Sequence, residues 1–137
     1  MDQVLNQVKP RLLLADDHEE LLREVTELLG QEFTVMATVQ DGMSLLFRAA
    51  ELQPDVVVTD LKMPRLGGIE AGRKLLDQKL CRAVVLLTMY AEPQLVSSAL
   101  DAGILGYVTK DRAGIDLVPA IRAALAGEPF VSCAVGA

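Results

Sequence analysis

Three short runs of consecutive apolar residues stand out along the chain: Leu12-Leu13-Leu14, Val56-Val57-Val58 and Val84-Val85-Leu86-Leu87. None alternates with polar residues, so each predicts a strand covered on both faces, as in a parallel sheet under helices. Between them the apolar positions change to helical spacing, as at Leu21, Leu22, Val25, Leu28 and Leu29, where Gly30 provides a stop. A second strand is predicted over Phe33–Val39, then a helix from about Met43 to Leu52 that Pro54 keeps from continuing. Gly67-Gly68 opens a third helix through Leu76, and a fourth runs from about Glu92 to Ala102 before Gly103. A short strand over Gly106–Val108 leads to a last helix ending near Gly127-Glu128-Pro129. Phe130 to Ala137 is small and apolar with no visible helix or strand pattern, and reads as a tail or the start of a linker.

Five βα units follow from this order. Right-handed crossovers place helices on both faces, giving an α/β, doubly wound, five-stranded parallel sheet with its ligand crevice at the carboxyl ends of the strands. A length of 137 residues with 51% hydrophobic content suits one compact domain. Aromatics make up 4% and Trp is missing, so the core is expected to be aliphatic. The net charge of −6 argues against a nucleic-acid binder, whose sequence-independent affinity comes from Lys and Arg neutralising phosphates. Cys81 and Cys133 are too far apart for a CxxC pair and read as a core thiol and a tail thiol. Met1–Pro10 has no cationic start followed by an apolar stretch, and no apolar run approaches the ~20 residues that span a bilayer. A cytoplasmic protein without membrane contact is expected.

Each core run ends in a polar group. Ala15 leads into Asp16-Asp17, Thr59 into Asp60, Leu87 into Thr88, and Tyr107-Val108-Thr109 into Lys110. On the predicted sheet, three carboxylates, a hydroxyl and an ammonium therefore share one rim. Two carboxylates ~4 Å apart repel by roughly 4 kcal/mol at an effective dielectric near 20, so a positive charge belongs among them. An all-oxygen donor set favours a small, hard, hydrated cation, Mg²⁺ before zinc. Such an ion neutralises a phosphoryl group while Lys110 balances the other side, and Asp60 becomes a nucleophile of aspartyl-phosphate type.

Taken alone, Asp16-Asp17 could cap the first helix and Asp60 a turn before Pro64, while Thr88 could be plain strand packing and Tyr107 a half-buried ring. Their common position favours a site. His18 reads as a solvated loop residue, Lys62 and Arg65 as solvated charges, and Met63 and Met89 as gap-fillers. A dehalogenase-type hydrolase would want a second Asp where Lys62 stands. A dinucleotide binder would want a glycine-rich turn where Asp16-Asp17-His18 stands. The remaining rival is a module of the same fold that docks partners without being phosphorylated.

Four blocks carry a resemblance: Leu-Leu-Ala-Asp-Asp-His, Val-Val-Thr-Asp-Leu-Lys-Met-Pro, Leu-Leu-Thr-Met-Tyr and Gly-Tyr-Val-Thr-Lys-Asp. In this order they are similar to the signatures of response-regulator receiver domains. Ile-Arg-Ala-Ala-Leu-Ala-Gly-Glu-Pro-Phe-Val-Ser late in the chain resembles the NarL/FixJ (LuxR-type) subfamily. The resemblance implies a (βα)5 flavodoxin-like fold, strand order 2-1-3-4-5, over residues 10–127, with 1–9 an N-terminal extension and 128–137 a tail or linker toward an absent output domain. It implies that Asp60 accepts a phosphoryl group from a sensor histidine kinase, as a signalling switch rather than an enzyme. Asp16, Asp17, Asp60 and the Lys62 carbonyl would hold Mg²⁺, with Asp17 the direct ligand of the acidic pair and Asp16 acting through water. Thr88 and Tyr107 would form the switch, with Lys110 the active-site cation. Lys62 and Tyr90, two residues beyond the acceptor and the switch hydroxyl, flank the path of a hydrolytic water. A phosphorylation-favoured homodimer is the implied readout, with DNA bound only through the output domain. The family often has Pro after the lysine, where Asp111 stands here.

Overall fold

The computed structural model describes residues 8–132. Residues 1–7 of the N-terminal extension and 133–137 of the tail, Cys133 included, lie outside the described residues.

The apolar runs become β1 (Arg11–Ala15), β3 (Val56–Thr59) and β4 (Ala83–Thr88), joined in the sheet by β2 (Thr34–Val39) and β5 (Gly106–Thr109). The helices are α1 (Glu19–Leu29), α2 (Gly42–Leu52), α3 (Gly68–Asp77), α4 (Pro93–Asp101) and α5 (Ala113–Leu125). A 3₁₀ turn over Lys110–Arg112 links β5 to α5. Local chemistry sets several boundaries. Asp41 accepts a hydrogen bond from the Ser44 backbone N–H at 2.8 Å and caps α2. Pro93 starts α4 with the φ a first helical turn needs.

All pairings are parallel, and the sheet order is β2-β1-β3-β4-β5-β6. The expected order 2-1-3-4-5 is found, but five strands is a correction to make: Phe130–Val131 form a sixth, β6, on the outer edge of β5. Phe130 donates to the Leu105 carbonyl and Ser132 to that of Tyr107, both at 2.9 Å. The patternless tail therefore begins as a strand. Two residues are too few to display a period, and the free edge of β5 supplies what they lack.

Continuous apolarity is explained by the two layers. Leu12, Leu14, Val56, Val58, Val85, Leu87 and Val108 pack under α1 and α5, against Leu22, Val25, Leu117 and Ile121 among others. Their alternates Leu13, Ala15, Val57, Val84, Leu86 and Tyr107 pack under α2, α3 and α4, against Leu45, Leu75 and Ala99. Each fully buried aliphatic side chain contributes about 1.5–3 kcal/mol, so both faces fix the sheet. Gly68 sets how closely α3 approaches the site: a Cβ there would lie 2.0 Å from the Asp60 carbonyl oxygen. Among the described residues no peptide bond is cis, so the Lys110–Asp111 bond is trans.

Candidate functional site

The register brings the strand ends level: Ala15 pairs with Thr59, Thr59 with Leu86, and Thr88 with Thr109. Asp16, Asp60, Thr88 and Lys110 thereby emerge on one rim. Asp16 and Asp60 are almost completely buried, and Asp17 is half-exposed beside them. The Lys110 ammonium lies 2.9 Å from Asp16 Oδ2 and 3.2 Å from Asp60 Oδ2, spanning the two acids. Asp60 Oδ1 accepts the Leu61 backbone N–H at 2.6 Å, which holds the carboxylate in one orientation.

Burial raises the Asp60 pKa above its ordinary value; Lys110 works against this and the Asp16 charge adds to it. Burial acts to depress the Lys110 pKa, but the hydrogen bond to Asp16 and the charges of Asp60 and Asp16 outweigh it and leave it raised. Lys110 stays an ammonium. Three carboxylates against one ammonium leave two negative charges, and one oxygen from each acid can converge. The donor set fits a dication.

Thr88 is fully buried, and its Oγ1 accepts the Tyr90 backbone N–H at 3.3 Å. Tyr107 is turned inward, 1% exposed, and its hydroxyl donates to the Tyr90 carbonyl at 2.6 Å. Burial, ahead of the Glu92 and Asp60 charges, pushes that phenol up to about 12. Thr88 and Tyr107 thus both grip the backbone of Tyr90. The Lys62 ammonium stands over the Tyr90 ring, 4.4 Å from its centroid.

Several sequence expectations are extended or corrected. Lys62 and Arg65 are exposed charges, as read, but each also makes a contact, Lys62 with the Tyr90 ring and Arg65 Nη2 with Asp41 Oδ1 at 3.1 Å. Met89 is 68% exposed because the chain has left the sheet after Thr88, whereas Met63 does pack on the core. Cys81 is half-buried, and burial pushes its thiol up to about 12. His18 is an exposed loop residue, as read, but its Nδ1 also lies 3.0 Å from Asp16 Oδ1 and 3.1 Å from Asp17 Oδ1. Its place directly after the acidic pair was the available signal.

A doubly wound parallel sheet whose carboxyl-end rim gathers acids, a lysine and a buried hydroxyl is an α/β protein with a dication-competent acidic site. Its sequence matches the response regulator receiver domain over residues 12–122, and the chain belongs to that family of signalling switches. The response regulator GacA of Pseudomonas viridiflava is 38% identical over 124 residues, 89% of this chain and 58% of that protein. The nitrate/nitrite response regulator protein NarL of Escherichia coli (strain K12) is 33% identical over 129 residues, 93% of this chain and 60% of its own length. The two-component response regulator of the LuxR family from Aurantimonas sp. SI85-9A1 superposes with a TM-score of 0.86 at 32% identity, covering 93% of this chain and 92% of that one. The isolated REC domain of RcsB from Salmonella enterica serovar Typhimurium, in the presence of phosphomimetic BeF3-, gives 0.82 at 28% identity, with 93% and 96% covered. The chain thus spans 58% of the length of the GacA it matches. Among the described residues no helix is long and apolar enough to cross a membrane.

Proposed function

We propose that this chain is the phosphoacceptor of a two-component pathway, taking a phosphoryl group from a sensor histidine kinase onto Asp60. The observation that carries the reading is the Lys110 ammonium bridging two buried carboxylates, Asp16 and Asp60, at the strand ends. An Asp60 carboxylate oxygen attacks phosphorus, the O–P bond forms, and the N–P bond to the donor histidine breaks with its electron pair returning to the imidazole. Leu61 N–H orients the attacking carboxylate, and Lys110 balances the charge that accumulates on the phosphoryl oxygens. Asp16, Asp17, Asp60 and the Lys62 carbonyl would hold Mg²⁺, Asp16 through water, and the bound ion would neutralise phosphoryl charge. The part played is that of a switch, with transfer onto itself and slow hydrolysis its own chemistry.

The grip of Thr88 and Tyr107 on Tyr90 supports these two as the switch: a phosphoryl group that engages the Thr88 hydroxyl competes with the Tyr90 amide. A phosphorylation-favoured homodimer is the readout. Residues 10–127 form the receiver unit after an extension over 1–9, and 128–137, which contributes β6, leads toward a linker. Transcription is controlled through a helix-turn-helix output domain outside this chain, in the cytoplasm. RcsB supplies the precedent, its structures including dimers bound to DNA.

Intact-mass measurement after acetyl phosphate with Mg²⁺ tests the assignment. Wild type gains one phosphate and Asp60→Asn gains none; stoichiometric labelling of the mutant sinks it. Sedimentation with and without beryllofluoride checks the dimer, and one unchanged mass at high concentration counts against it.

A further inference from the structure

The sequence contains one histidine, and it stands at the acidic site. One donor atom from each of Asp16, Asp17, His18 and Asp60 lies within 4.8 Å of all the others. Ligands held ~2.0–2.2 Å from one ion can be at most about 4.4 Å apart, so side-chain adjustment can turn donors of Asp17, His18 and Asp60 onto one centre, with Asp16 beside them through a water. The edges of Asp16 are already divided. Lys110 occupies Oδ2, whereas Oδ1 faces the imidazole Nδ1. The same Oδ1 accepts the His18 backbone N–H at 2.9 Å, which fixes the start of the residue and leaves its largely exposed ring free to adjust.

Imidazole distinguishes metals that carboxylates barely separate. Mg²⁺ keeps oxygen ligands and several waters, while first-row transition dications gain from a nitrogen donor, increasingly so from Mn²⁺ toward Ni²⁺. We propose that His18 Nδ1 is a direct ligand at this site and gives it an intrinsic preference for a first-row transition dication over Mg²⁺. For Mg²⁺ the ring stands aside and a water takes its place. The inference rests on the metal-binding reading above, and it names a donor that an oxygen-only site does not have.

The test uses the whole chain without a histidine tag, with Co²⁺ and Mg²⁺ as probes. Calorimetry should give a Co²⁺-to-Mg²⁺ affinity ratio that falls about tenfold or more in His18→Ala, since even the outer partners of metal ligands are worth ~10–100-fold. Proton NMR of the Co²⁺-loaded protein should show hyperfine-shifted imidazole resonances, assignable to His18 because the chain has a single histidine, and lost in His18→Ala. Mg²⁺ binding by wild type with an unchanged ratio and no shifted ring signals overturns the role of His18 and leaves the receiver reading standing. An equal loss of both ions in the variant also overturns it, because His18 would then only orient the acids. If wild type binds neither ion, the metal-binding reading fails and this inference with it.

Discussion

Hydrolysis of an aspartyl phosphate needs a water in line with phosphorus, so the lifetime of the signal depends on what flanks Asp60. The Lys62 ammonium lies 4.4 Å from the centroid of the Tyr90 ring. The ring's own backbone is pinned on both sides, by Thr88 Oγ1 at 3.3 Å and by the Tyr107 hydroxyl at 2.6 Å. We expect the pair to occupy the water's path and give a slowly decaying phosphorylated state. If the ring excludes about nine in ten attack geometries, Tyr90→Ala shortens the lifetime roughly tenfold, or ~1.4 kcal/mol of barrier. A cation–π contact at an exposed rim is worth ~0.5–1 kcal/mol, so Lys62→Ala should shorten it about two- to fivefold by loosening the ring. Neither truncation removes the backbone groups that Thr88, Tyr107 or a metal would use. The assay loads each protein with acetyl phosphate, removes the donor, and follows loss of the phosphate by intact mass at saturating Mg²⁺. Equal or slower decay in both mutants refutes the shielding argument.

Other outcomes follow from the same geometry. Because burial, ahead of the other influences, raises the Asp60 pKa, the folded state holds that proton more tightly than the unfolded chain. Stability is then greatest below the ordinary value of 3.8 and falls as pH rises through the raised pKa. Asp60→Asn should therefore be the more stable protein near neutral pH without metal, with the gap closing in acid; urea melts showing no neutral-pH gain would contradict this. Gly68→Ala, whose Cβ would meet the Asp60 carbonyl at 2.0 Å, should cost at least the ~1–3 kcal/mol typical of overpacking. A loss under about 0.5 kcal/mol in the same melts would show that α3 simply moves away. Ser132 accepts the Thr109 N–H at 3.1 Å and donates to Asp116 at 2.9 Å, so Ser132→Ala should cost ~1–3 kcal/mol. Faster hydrogen exchange at the Thr109 amide checks it, and unchanged exchange would show that the clip is dispensable. At physiological salt this acidic chain should not bind a random duplex, and salt-dependent binding at micromolar protein would contradict that.

The sequence by itself determined the architecture and most of the rim. Continuous apolar runs demand burial on both faces, and a polar residue directly after each run must emerge at the strand's end, which placed Asp16, Asp60 and Thr88, with Lys110 after β5. Helix boundaries were legible to within one or two residues wherever Gly or Pro marked them. What tertiary structure decided are interactions without a local signature. β6 exists because the edge of β5 offers unpaired backbone groups to two residues that show no period of their own. His18 faces two carboxylates because the Asp16 side chain turns back to its amide, a geometry that composition does not encode. The partners of Lys62, Arg65 and Tyr107 lie 17 to 28 residues away, and only the register of the parallel strands and the loops at their ends brings them within reach.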